Sequence, residues 1–226
     1  MKRFSGVFVI CLLAAGVAVA VPTVEVDRVA GTYPLPKLGG EFLLTPNGEL
    51  AALLGSSQPF ESFCLEIAEY AFGGTTYEAV VNTQAVAGGG VWPDEDETAG
   101  ADPISPQTAY LYTAFRTGTL LNGYDYTTGP LREASAKSLQ EAIWYLECED
   151  GYTDLSLLSA KAQAYVAEAQ VAAWNTIGDV RVLNLTRRGE PAQDLLTLVA
   201  VPAPGAVFLC GIGLPAIAWL KRRRTM

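Results

Sequence analysis

The 226-residue chain contains no histidine. This absence excludes Ser-His-Asp and Cys-His catalysis, zinc sites with histidine ligands, and acid–base catalysis by imidazole. Of four cysteines, Cys11 and Cys210 lie in apolar terminal segments, which leaves Cys64 and Cys148 in the central region. A cysteine without a neighbouring histidine or lysine has no evident base to form a thiolate, which argues against a cysteine protease or a transglutaminase.

Positive charge is also scarce. The chain has 24 acidic and 15 basic residues, and six of the basic ones lie in terminal segments that contain no acidic residue. The central region therefore carries nine basic against 24 acidic residues, a formal charge of −15. Such a charge excludes nucleic acid and anionic membrane surfaces as partners, and it suits a soluble protein outside the cell.

The N-terminus has the layout of a signal peptide. Lys2 and Arg3 precede an apolar run over 7–20 that ends in Ala-Val-Ala, a small-x-small cleavage site. The run is shorter than the ~20 residues of a membrane span. We predict a signal helix over 1–20 with cleavage near Ala20; the alternative is an anchor that stays attached.

The C-terminus has three parts: a Pro-rich break over 201–205, an apolar run over 206–220 and a basic cluster over 221–224. Fifteen residues at 1.5 Å each reach ~22 Å, short of a ~30 Å hydrocarbon core. A basic cluster stays on the cytoplasmic side of a membrane. The alternatives are a sorting tail with a transmembrane helix over 206–220 and a plain C-terminal anchor.

This order of parts resembles the PEP-CTERM sorting signal of Gram-negative bacteria, although Val-Pro-Ala-Pro-Gly stands where the family has Pro-Glu-Pro. The resemblance implies processing by an exosortase-type enzyme and a transient stay in the inner membrane, followed by release to the outer surface or extracellular matrix. The sorting residues would be Pro202, Pro204, Gly205, Arg222, Arg223 and Arg224.

Residues 21–200 are expected to form one domain of the α+β class, with a β-sheet or sandwich core and an inserted three-helix subdomain. Strand patterns occur over 24–29 and 75–82, and alternation also predicts a strand over 62–70 with Cys64 and Phe63 on opposite faces. A loop is predicted over 87–103. Helix signals lie within about 105–175, and a strand hairpin follows over 179–199.

The acidic run Asp94–Glu97 has hard oxygen ligands that could bind Ca²⁺ weakly, but it lacks the frame of a calcium loop. It is therefore interpreted as a solvated acidic loop. No pair of carboxylates stands out for glycoside hydrolysis, so a secreted carboxylate hydrolase is a distant alternative. We expect no metal and no cofactor.

One glutamine lies on the apolar face of a predicted helix over 131–149. Gln140, Ile143, Trp144 and Glu147 recur at i, i+3, i+4 and i+7. A buried glutamine must find hydrogen-bond partners or cost about 1–3 kcal/mol. The helix alone leaves two interpretations open: a side chain that caps a strand edge, or a reactive group.

Two motifs together point to a family. Phe-x-x-Phe-Cys-x-Glu over 60–66, followed by Gln-x-Ala-Ile-Trp over 140–144, resembles the thioester domain of bacterial surface adhesins. The resemblance spans roughly residues 40–200 and implies a bond between Cys64 and Gln140 that acylates an amine on a target. Leu139 stands where adhesins often have a small polar residue.

In this interpretation Phe63 and Trp144 keep water from the bond, Tyr112 or Tyr110 lines its entrance, and Glu66 polarises a group nearby. The protein would be a single-use covalent binder rather than an enzyme, with an amine on a surface or matrix component as its partner. The main rival is a Cys64–Cys148 disulfide in a non-covalent matrix protein, because two cysteines in an oxidising compartment usually pair. Cys148 lies about 12 Å beyond Gln140 on the predicted helix, so the two bonds exclude each other.

Overall fold

The computed structural model describes residues 20–29, 39–86 and 101–199, apart from the side chain of Ala101. The predicted sorting segment over 201–226 and nearly all of the predicted signal peptide lie outside these ranges. The acidic run over 94–97 lies outside them as well. Within the three ranges, no helix is both long and apolar enough to cross a membrane.

The strands of the described residues form two antiparallel sheets. The larger contains β1 (Thr23–Arg28), β2 (Phe42–Asn47), β3 (Phe60–Ser62), β4 (Thr75–Asn82), β7 (Val180–Arg187), β8 (Glu190–Pro191) and β9 (Leu195–Leu198). Its strand order is β3-β2-β1-β4-β7-β8, and β9 also pairs with β7. The smaller sheet pairs β5 (Gln84–Val86) with β6 (Ala101–Pro103). β1 shows the two-residue period: Val24 and Val26 are buried, whereas Glu25 and Asp27 are exposed.

The large sheet curls back on itself at Cys64. This residue forms an isolated antiparallel bridge with Leu195, at the start of β9. On either side, Leu65 N–H donates to Asp194 O at 3.0 Å and Leu196 N–H donates to Phe63 O at 3.2 Å. The segment that follows β3 is therefore tied to β9 at the far end of the strand order.

Four α-helices lie in the described ranges: α1 (Gly48–Leu54), α2 (Pro106–Thr117), α3 (Pro130–Leu146) and α4 (Ala160–Ala172). Three of them, α2 to α4, fall between β6 and β7 in the chain, where the sequence predicts the helical insertion. α2 begins after the Ser105 cap, with Pro106 in its first turn, and ends at Gly118 in the left-handed conformation. The mixed α and β composition with antiparallel sheets is confirmed.

Two local predictions are wrong. Of the strand predicted over 62–70, only Ser62, at the end of β3, and the Cys64 bridge pair with the sheet. Residues 63–66 are buried on both faces, and the Ile67 N–H donates to the Glu149 side chain instead of to a strand. The short strand β6 lies within the loop predicted over 87–103.

Two clusters of buried apolar side chains meet at the Cys64 segment. Phe63 packs with residues of the helices, and its ring makes an edge contact with Phe115 at 5.0 Å. Cys64 and Trp144 pack in the other cluster, with residues of the large sheet. The expected placement of Phe63 and Cys64 on opposite faces is confirmed, so neighbouring residues face separate cores.

Ser105 supports the helix that begins beside it in two ways. Its hydroxyl oxygen accepts a hydrogen bond from Thr108 N–H at 3.1 Å, and the hydroxyl donates to the buried Glu147 carboxylate at 2.7 Å. Ser159 caps α4 in the same manner at 3.3 Å but is exposed. We predict that Ser105→Ala lowers the free energy of unfolding by about 2–4 kcal/mol, against about 1 kcal/mol for Ser159→Ala. Urea denaturation measures both, and equal losses would contradict this role of the Glu147 contact.

Candidate functional site

The Gln140 side chain lies against the main chain of Cys64. Its Oε1 accepts hydrogen bonds from the backbone N–H of Cys64 at 3.0 Å and of Gly40 at 3.2 Å. Its Nε2 donates to Cys64 O at 2.9 Å. Because the two oxygen partners are donors and the nitrogen partner is an acceptor, the orientation of the carboxamide is determined. This buried glutamine therefore has three hydrogen bonds to backbone groups.

The main chain around Cys64 is hydrogen-bonded on two sides, to β9 on one edge and to the Gln140 side chain on the other. The bridge to Leu195 uses the main chain of Phe63 and Leu65, whereas the Cys64 N–H and C=O point to Gln140. The carboxamide thus completes the hydrogen bonding of a strand edge that the sheet leaves open. This is the geometry of the strand-edge cap, and it also brings the residue that carries the thiol to the carboxamide.

Gly39 and Gly40 form the other wall of the carboxamide site. Gly39 has φ +60°, and a Cβ added there would lie 2.6 Å from Gln140 Cγ and 2.8 Å from Cδ. Only glycine allows this approach, because any side chain would overlap the glutamine. This pair is absent from the sequence-based predictions, although a Gly-Gly dipeptide is a recognisable signal of close backbone approach.

A buried ion pair holds this glycine segment against α3. Glu41 follows Gly40, and its carboxylate forms a bidentate ion pair with the Arg132 guanidinium. In this pair Arg132 Nε donates to Glu41 Oε2 at 2.8 Å. Arg132 stands about two turns before Gln140 on the same helix. The pair therefore connects the loop that supplies the Gly40 N–H to the helix that supplies the carboxamide.

The site is dry. Gln140 is fully buried, and Cys64 and Trp144 are each only 2% exposed. A small pocket of about 210 Å³ reaches Cys64, and its lining residues are Arg28, Gly39, Phe42, Cys64, Glu66, Ile67, Glu69, Tyr70, Ala71, Trp144 and Gln193. The carboxamide is therefore shielded from bulk water, whereas Cys64 lines the pocket.

Carboxylates surround this pocket. Glu66 is buried, as are Asp102 and Glu149, and oxygens of these three residues lie within 4.8 Å of one another. Glu69 is half-buried, and burial together with the Asp194 carboxylate raises the pKa of Glu69 to about 8. Of these acids, the sequence analysis named only Glu66, because the others come from distant parts of the chain.

The two cysteines of the described ranges, Cys64 and Cys148, are both free thiols. Burial raises the pKa of the Cys64 thiol far above its usual range, against the opposing effect of Arg28. Burial and the Glu147 carboxylate raise the pKa of the Cys148 thiol as well. Cys148 follows α3 with φ +61° and is not joined to Cys64.

Two of the expected supporting residues lie elsewhere. Tyr112 is fully buried and donates to Glu61 O and Leu196 O at 3.0 Å, so it braces β3 against β9 instead of lining an entrance. The Phe63 side chain packs in the apolar cluster that contains the helices, whereas the Cys64 side chain packs in the other cluster. Trp144 and Glu66 do line the pocket that reaches Cys64. Tyr110 lines a separate cavity beside Glu168.

The chain matches no protein-family model and no curated protein. Among solved structures, it is similar to the N-terminal domain of the Streptococcus pyogenes pilus tip adhesin Cpa. The two are 15% identical, with a TM-score of 0.44, and the similarity covers 82% of this chain and 97% of that chain. The function proposed below is drawn from the site geometry.

The contact between Gly39 and Gln140 gives a prediction with a matched control. Gly39→Ala places an alanine in the left-handed backbone conformation and also makes its Cβ overlap with Gln140. Gly55→Ala introduces only the backbone strain, because Gly55 has φ +73° and no atom lies within 4 Å of an added Cβ. We expect Gly55→Ala to cost about 1–2 kcal/mol of unfolding free energy. Gly39→Ala should cost about 1–3 kcal/mol more.

Urea denaturation of both variants measures the difference. If the two substitutions cost the same, the glycine does not approach the carboxamide as closely as described.

Proposed function

We propose that Cys64 Sγ and Gln140 Cδ join in an internal thioester, and that the chain is an adhesion-type domain that acylates an amine on its target. The observation that carries this proposal is the Gln140 carboxamide held by three backbone hydrogen bonds against the residue that bears the buried thiol. Such confinement replaces a bimolecular encounter by a fixed approach, which is worth about 7–11 kcal/mol of barrier for well-oriented groups.

The bond would form in one exchange. The Cys64 sulfur attacks Gln140 Cδ, the carbonyl π electrons move to Oε1, and a tetrahedral centre results. The N–H groups of Cys64 and Gly40 already point at Oε1 and would stabilise its negative charge as an oxyanion hole. The C–N bond then breaks, and the thiol proton leaves with the amide nitrogen as ammonia.

The surroundings favour a bond that survives until the target arrives. Trp144 packs in the same cluster as Cys64, and the full burial of Gln140 keeps water from Cδ. A target amine would then displace the sulfur and form an isopeptide bond, so each molecule acts once and turns nothing over. The protein needs neither a metal nor a cofactor for this chemistry.

The proposal assigns this chemistry to the outside of the cell, on the basis of the terminal segments of the sequence. The proposed signal peptide exports the chain, the tail over 206–220 holds it in the inner membrane, and an exosortase-type enzyme processes it near Pro202 and Pro204. The domain would then reach the outer surface or the extracellular matrix, where its partner carries a primary amine and belongs to a matrix, a biofilm or a neighbouring cell.

Intact mass spectrometry of the exported protein distinguishes this proposal from its rivals. We predict a mass deficit of one ammonia in the wild type, because bond formation expels the amide nitrogen. Cys64→Ala and Gln140→Ala should each lack the deficit, and Cys148→Ala should keep it. Methylamine should then add to the wild type at Gln140.

The other outcomes are equally distinct. If the wild type shows its full calculated mass, and Cys64→Ala and Gln140→Ala differ from it only by the mass of the substitution, no thioester forms. Gln140 is then a strand-edge cap without a reactive role. A deficit of two hydrogens, removed by reduction and by Cys148→Ala, means a Cys64–Cys148 disulfide.

A further inference from the structure

The pocket that reaches Cys64 has the size and charge of a site for a narrow cation. Its volume is about 210 Å³, smaller than the ~300–1,000 Å³ of sites for drug-sized ligands. Two carboxylates, Glu66 and Glu69, line it against one guanidinium, Arg28. The buried acids Asp102 and Glu149 lie next to Glu66, and oxygens of the three residues lie within 4.8 Å of one another. An unbranched alkylammonium group, such as a lysine side chain, fits both properties.

The single cation of the pocket is already engaged. Arg28 Nη1 donates to Gly39 O at 3.5 Å, and its guanidinium lies over the Phe42 ring at 5.0 Å from the centroid. Arg28 thus hydrogen-bonds the backbone of the glycine that packs closely against Gln140. The acidic side of the pocket is left to face an incoming group.

Glu69 is the more exposed of the two carboxylates that line the pocket. It is half-buried, whereas Glu66 is only 1% exposed, and the exposed Tyr70 follows it. Asp194 N–H donates to Glu69 Oε2 at 3.1 Å, which fixes the carboxylate in the pocket wall. The charged groups around it are Asp194 and Glu149, with Arg28 and Glu66 in the same lining.

The Trp144 indole adds a second feature that points to an occupant. Trp144 lines the pocket and is 2% exposed, and its Nε1–H has no hydrogen-bond partner among the described residues. A buried donor without a partner costs about 1–3 kcal/mol. A hydrogen-bond acceptor of the target that reached this N–H would recover the cost.

We propose that this pocket receives the amine of the target and that the Glu69 carboxylate takes a proton from the arriving ammonium group. The inference rests on the proposed thioester. The ammonium gives one proton to Glu69, and the neutral amine attacks Gln140 Cδ while the oxyanion hole holds Oε1. The C–N bond forms, the C–S bond breaks, and a second proton from nitrogen ends on the Cys64 sulfur. Glu69 then loses its proton to solvent.

The properties of Glu69 and Cys64 suit these two transfers. Burial raises the pKa of Glu69 to about 8, much closer to the ~10.4 of a lysine ammonium than an ordinary glutamate at ~4.3. Burial also raises the pKa of the Cys64 thiol, so the leaving sulfur must receive a proton. Because Glu69 ionises as the pH rises through about 8, the advantage of reacting through the ammonium form should decrease above that pH.

The test compares methylamine incorporation into the exported wild-type protein and into Glu69→Gln, across the pKa of Glu69. In the proposed step the wild type reacts through the ammonium form with ionised Glu69, whereas Glu69→Gln can react only with the free amine. We therefore expect the ratio of the two rate constants to be level at about 100-fold below a pH of about 8, a typical size for general base catalysis. The ratio should fall above that pH, because the ionised fraction of Glu69 no longer increases while the free amine still does. Glu69→Gln keeps an oxygen for the Asp194 N–H, and its ammonia deficit should equal that of the wild type.

Glu78→Gln is the matched control, since Glu78 is exposed on β4 and outside the pocket lining. The ratio of the wild-type rate constant to that of Glu78→Gln should stay near one. Glu69→Asp, which keeps a carboxylate, should retain the pH dependence at a lower rate. An ammonia deficit in all variants with a ratio near one for Glu69→Gln at every pH would overturn the role of Glu69 and leave the thioester intact. A wild type without the deficit would overturn both.

Discussion

The buried carboxamide of Gln140 is the interaction on which the rest of the site depends. A glutamine in a dry core must satisfy its polar atoms or cost about 1–3 kcal/mol, and here the backbone of Cys64 and Gly40 satisfies them. The bridge to Leu195 holds the cysteine from one side. The Glu41–Arg132 pair holds the glycine loop from the other. Removing any support would expose a polar group that the core cannot accommodate.

The same burial has opposite effects on forming and using a thioester. It keeps water from the carboxamide and aims two N–H groups at one oxygen, which favours bond formation and survival. It also raises the pKa of the Cys64 thiol, which makes the thiolate a poor leaving group. In the proposed reaction this conflict is resolved because the second proton of the amine nitrogen ends on the Cys64 sulfur.

How much could be predicted from sequence differs between the fold and the site. The capping signals of Ser105, Pro106 and Gly118 predict α2 correctly because they act within a few residues. The strand over 62–70 failed because alternation assumes one buried face, and here both faces are buried. Cys64 and Gln140 were found as motifs. Their partners Gly40 and Glu69 were not, because chain topology rather than local pattern brings them there.

The covalent bond itself is tested most directly by a crystal structure of the exported protein at high resolution. The account predicts continuous density between Cys64 Sγ and Gln140 Cδ, no density for Nε2, and Oε1 within hydrogen-bond distance of the Cys64 and Gly40 nitrogens. Separate thiol and carboxamide groups, or density that joins Cys64 to Cys148, would contradict it.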